Sequence, residues 1–177
     1  MSNEQMAYQN YLALVLESTF GQVEQAAVWY MEAEKVAQEV AENLDASLEV
    51  GASVVSAFSP RERWTSNVAK AISFSLGEKV TGLSNNLKMA QGSLTLGFDA
   101  LKGQKTNAFA RAIAGDENAV VVDVWMMRAA GYDGESSPNK TQYKEISEAV
   151  VRIAEKFAMT PRVAQALIWI LVRGSAL

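Results

Sequence analysis

From Val23 to Leu44 the apolar residues recur at positions 23, 26, 30, 33, 37, 40 and 44, in alternating steps of three and four. Such steps keep side chains on one stripe of a helix and are incompatible with the two-residue repeat of a strand. The stripe fits a coiled-coil seam or the buried side of an amphipathic helix. Alanine at 26, 33 and 37 favours ordinary core packing.

The remaining segments read the same way. Apolar positions from Glu4 to Phe20 predict a helix closed by Gly21, and Ser47 or one of its neighbours is expected to open a short helix through Val54, Val55 and Phe58. Ser59 as N-cap, Pro60 in the first turn and Glu62 three after the cap predict a capping box. The helix it opens would run through Trp64, Val68 and Leu76 to Gly77. Between Glu78 and Leu96 the Gly, Ser and Asn content predicts loops with one short helix near 85–91, then a helical piece over about 94–101. A bend at Lys102-Gly103-Gln104-Lys105 leads into a helix ended by Gly115. Ala119–Val122 is expected as a buried extended link, with Asp123 capping a helix that stops at Gly131. A surface loop over 131–140 precedes helices over about 141–157 and, behind Thr160 and Pro161, 163–173. The last is apolar on nearly every side and is expected in the middle of the fold. The fold class predicted is all-α.

A chain of 177 residues, 49% hydrophobic and 20% charged, is globular in composition and long enough for one domain or two small helical lobes. It holds no cysteine and no histidine. That excludes disulfides, thiolate or imidazole metal sites, cysteine-ligated iron–sulfur clusters and nucleophiles paired with histidine. Carboxylates, lysines, hydroxyls and backbone remain for chemistry, and no metal or cofactor is expected. No signal peptide is read at the start, and the apolar run Val163 to Val172 is too short to span a bilayer. A soluble, cytoplasmic protein without a membrane partner is the expectation.

Charge is distributed in blocks. Residues 1–60 carry nine Asp/Glu against Lys35 alone, whereas residues 61–111 carry eight Lys/Arg against three acids. Binding phosphate needs a basic surface rather than a basic whole, so the middle block is compatible with nucleic acid despite the net charge of −4.

Residues 98–128 carry a resemblance. Gly103-Gln104-Lys105 matches the end of a helix-hairpin-helix bend, Val122-Asp123 a capping motif and Arg128 the arginine that follows it. Lys105 and Asp123 stand eighteen positions apart, and upstream Val54-Val55-Ser56-Ala57-Phe58 with Asn67 matches a further segment. The chain thus resembles the helix-hairpin-helix glycosylase superfamily, the endonuclease III-like DNA base-excision enzymes, in particular small members found in bacteriophages. Leu101 stands where the hairpin's first glycine would be, and Phe58 and Trp125 replace the family's Gln and His.

The resemblance implies two helical lobes with a cleft between them: one over 47–122 with the hairpin, the other formed by 1–46 and 123–177. It implies a DNA glycosylase acting on a flipped-out base in double-stranded DNA, without an iron–sulfur cluster, in the host cytoplasm if phage-encoded. Asp123 would stabilise positive charge on the sugar, and Lys105 would form a Schiff base if the enzyme is also a lyase.

The residues also have readings of their own. Backbone N–H groups at a glycine bend opening a helix attract phosphate, and Lys102, Gly103 and Gln104, with Arg61 and Arg63, are the expected nucleic-acid contacts. Phe58, Trp64 and Trp125 are candidate pocket residues, with core packing as the alternative for the tryptophans. Asp123 as a plain N-cap and Lys105 as a solvated charge are the structural alternatives. A non-catalytic helical module binding DNA or protein, or a phage base-modification enzyme, competes with the glycosylase.

Overall fold

The computed structural model describes residues 1–134 and 136–174. Among them are nine α-helices and one 3-10 turn, and no strand. The fold is all-α. The chain divides into two compact units, residues 1–30 with 117–174, and residues 31–116. The middle lobe expected from the sequence had its limits at 47 and 122. No helix of the described residues is long and apolar enough to cross a membrane.

The first unit contains α1 (Asn3–Leu16), the start of α2 (Phe20–Asn43), α7 (Val124–Ala130), α8 (Lys140–Lys156) and α9 (Pro161–Arg173). Helix α9 lies in the middle of the unit, packed against α1, α7 and α8. Its residues from Ala164 to Ile168 are all buried. Two buried hydroxyls there are satisfied: Tyr30 donates to Gln165 Oε1 at 2.7 Å, and Tyr11 donates to the Met126 carbonyl at 2.8 Å. Ala119–Val122 is a buried extended link, as expected. The Tyr143 hydroxyl holds it, donating to the Val120 carbonyl at 2.7 Å and accepting from the Val122 N–H at 3.4 Å. Burial pushes the Tyr143 phenol up to about 12, so it keeps the proton it donates.

The second unit contains the rest of α2, then α3 (Leu48–Ala57), α4 (Trp64–Ser75), α5 (Ser84–Leu96), the 3-10 turn Gly97–Ala100 and α6 (Gln104–Ile113). Helix α3, capped by Ser47, is its centre: every residue from Gly51 to Ala57 is buried, and α4, α5 and α6 pack around it. Full burial of Val54 and Val55 contributes roughly 1.5–3 kcal/mol each. Five successive positions of the α2 stripe, Ala26, Tyr30, Ala33, Ala37 and Val40, are buried, so it is core. Gly51 lets the two helices touch. A Cβ there would stand 2.1 Å from the Ala37 carbonyl oxygen.

Four local expectations are corrected. Gly21 does not end a helix; α1 stops at Leu16, and Gly21 lies in the first turn of α2. Helix α5 runs unbroken over thirteen residues where loops and a short helix were expected. Its buried Met89, Ala90 and Ser93 supply the packing that overrides weak local propensity. The piece expected over 94–101 is the end of α5 followed by the 3-10 turn. Ser59, Pro60 and Glu62 form no capping box, because α4 starts at Trp64, with Arg63 as its N-cap. Ser59–Glu62 is instead a turn, closed by Glu62 N–H on the Ser59 carbonyl at 3.2 Å.

Candidate phosphate-binding groove

The Ser59–Glu62 turn is held from outside. Asn86, buried in the first turn of α5, donates from Nδ2 to the Pro60 carbonyl at 3.1 Å. Glu62 points forward along α4, accepting from Ser66 Oγ at 2.8 Å and pairing with Lys70. Those partners, Lys70 first, hold its carboxyl below the usual range. Between these anchors Arg61 adopts φ +61°, left-handed and costly for a residue with a Cβ. Its side chain projects into solvent at the rim of a concavity.

That concavity has a volume of about 670 Å³. Arg61, Lys88 and Lys102 line it together with Ser84, Asn85 and Asn86, and no acid is among the described lining residues. Helix α5 opens there behind Leu83, which offers no side-chain cap. The Ser84 and Asn85 N–H groups therefore keep the positive end of the helix dipole unsatisfied. Lys102 is anchored through its backbone, donating N–H to Met89 Sδ at 3.5 Å, while its side chain is exposed. Gly103 follows with φ +91° as N-cap of α6, and open space surrounds it. A basic, acid-free hollow with free N–H donors can hold a phosphate.

The groove gathers Arg61 and Lys102 from the sequence-predicted residues, and Gly103 adjoins it. Arg63, Gln104 and Lys105 are exposed on the same unit but do not line it. Phe58 is core, edge-on to Phe74 at 5.7 Å, and Trp64 is half-buried, edge-on to Phe109 at 6.4 Å. Lys88 and Asn86 were missed as site residues. Lys88 was visible in the basic block, but nothing local marked Asn86 as a brace.

Asp123 and Trp125 belong to the first unit. Asp123 caps α7 as expected: Oδ1 accepts from the Trp125 and Met126 N–H groups at 2.9 and 3.0 Å. Its Oδ2 accepts from Trp169 Nε1 at 3.0 Å, so both oxygens are engaged. Trp125, next to the cap, is exposed beside Arg128.

Two all-helical units, one of them carrying a basic hollow, define the class. A family model described as a family of unknown function, DUF7178, matches residues 2–176, and the chain belongs to that family. No curated protein and no solved structure matches it.

Proposed function

We propose that this protein binds the phosphate backbone of nucleic acid through the groove of its second unit. The observation that carries the reading is the convergence of Arg61, Lys88 and Lys102 on the N-terminus of α5, which has no side-chain cap, in a hollow with no acid among its described lining residues. Each cation that neutralises a phosphate releases counterions, so affinity falls steeply with salt. The test is duplex binding by fluorescence anisotropy at several salt concentrations. Lys88→Gln and Lys102→Gln should each weaken binding and lower the slope of log K against log salt by about one. Unchanged affinity and slope in both variants would overturn the reading.

A second reading, a glycosylase with the resemblance to the endonuclease III-like enzymes behind it, is favoured by one observation. Asp123 caps a helix directly after a buried extended link, as the resembling motif requires. In this reading the carboxylate exchanges its Trp169 bond for contact with the sugar, and the role that the resemblance gives Lys105, a Schiff base or a phosphate contact, is tested on its own. Base release, or borohydride trapping of a protein–DNA adduct, on duplexes with deaminated, oxidised, alkylated, hypermodified or abasic sites tests it. Binding without either product would leave the non-catalytic module.

A further inference from the structure

The first unit carries a separate concentration of positive charge that the groove does not use. Trp125 on α7 is 38% exposed, unusual for a tryptophan in a chain that buries most of its aromatic surface. Two guanidiniums lie over its ring, Arg128 Cζ at 5.2 Å and Arg173 Cζ at 5.9 Å from the centroid. Arg173 also lies 4.5 Å over Trp169, whose own orientation is fixed by the Asp123 hydrogen bond.

Among the described residues neither arginine has a carboxylate partner. Arg152 of the same unit, by contrast, pairs with Glu4 and donates to Gln5. The aromatic faces therefore hold two cations in place without neutralising them. The Arg128 side chain is also restrained. A Cβ at Gly134 would stand 2.4 Å from Arg128 Cγ, so the loop backbone closes against the stem of Arg128. A guanidinium held beside an indole keeps its planar fork of N–H donors, which can take an oxyanion in two parallel hydrogen bonds. Two guanidiniums beside one ring leave positive charge that an anion can neutralise.

We propose that Trp125, Arg128 and Arg173 form a phosphate-binding site, with the two guanidiniums as donors and the indole as the platform that orients them. The ligand chemistry is a phosphoryl oxyanion, from a nucleic-acid phosphodiester or from free phosphate. The site lies wholly within residues 117–174 and stands whether or not the groove of the other unit binds anything.

The test uses the full chain and three probes: a labelled oligothymidylate of twelve nucleotides, a twelve-base-pair duplex and inorganic phosphate. Arg128→Gln and Arg173→Gln should each weaken binding of an oligonucleotide at least fivefold at low salt and lower the salt slope by about one. Arg128→Lys should restore the slope but not the affinity, because an ammonium neither stacks nor forks. Trp125→Leu, which keeps both charges, should lose affinity through the platform alone. For phosphate the readout is the Nε–H NMR signal of each arginine. Shifts on titration with phosphate, with oligonucleotide affinity unaltered in the variants, would assign the site to the free anion. Unaltered affinity for both oligonucleotides, together with unshifted arginine signals, would overturn the proposal.

Discussion

Trp169 donates its indole N–H to Asp123 Oδ2 at 3.0 Å, while the other carboxylate oxygen of Asp123 closes the first turn of α7. One side chain thus fixes both the start of α7 and the orientation of a ring on α9. An asparagine at 123 can keep the cap through its oxygen, but its NH2 then faces the indole N–H, donor against donor.

Asp123→Asn is therefore expected to lower stability by about 1–2 kcal/mol, and Asp123→Ala by more because the cap goes too. Denaturant unfolding measures both. Trp169→Phe should remove the same bond, so the double variant Asp123→Asn with Trp169→Phe should cost clearly less than the two separate losses combined. Strict additivity would show that the bond contributes nothing. Any activity assay on Asp123→Asn must carry this stability measurement beside it.

Arg61 holds a left-handed backbone conformation at φ +61°. Glycine adopts that region without the steric cost, though it loses more entropy on folding, so Arg61→Gly should gain roughly 0.5 kcal/mol. The same change removes a cation from the groove and should weaken duplex binding. Opposite movement of melting temperature and affinity is the expected signature of a strained functional position.

Gly51 sits where α3 meets α2, and a Cβ would press on the Ala37 carbonyl oxygen and on Ala41 Cβ at 2.9 Å. Both contacts are with the neighbouring helix rather than a flexible side-chain tip, so neither can yield cheaply. Gly51→Ala should destabilise the protein by about 3 kcal/mol. A melting temperature equal to that of the parent would disprove the close approach.

Glu62 has its carboxyl held below the ordinary range by Lys70 and Ser66. A depressed folded-state pKa adds stability that is present above the unfolded value of about 4.3 and lost as pH falls through the lower folded value. Glu62→Gln should therefore flatten the acid limb of a melting-temperature profile below about pH 4.3 and lose stability at neutral pH. Parallel profiles of parent and variant would exclude the linkage.

Local signals in the sequence determined much of this protein. The stripe of α2, the Ser47, Asp123 and Thr160 caps, Pro161 and the terminating Gly131 and Gly174 act within one or two turns, and each stands in the structure where its pattern placed it. The extended link at Ala119–Val122 was legible for the same reason: four consecutive apolar residues must be buried. Tertiary structure decided the groove. Its residues come from 60–61, 83–89, 100–102 and 106, and the Asn86 bond to Pro60 spans twenty-six positions. That bond holds Pro60 in a turn and moves the start of α4 to Trp64, against a local capping pattern worth only about 1 kcal/mol. The partnership of Asp123 with Trp169, forty-six positions away, was equally invisible, because a hydrogen bond between helices leaves no periodicity in either of them.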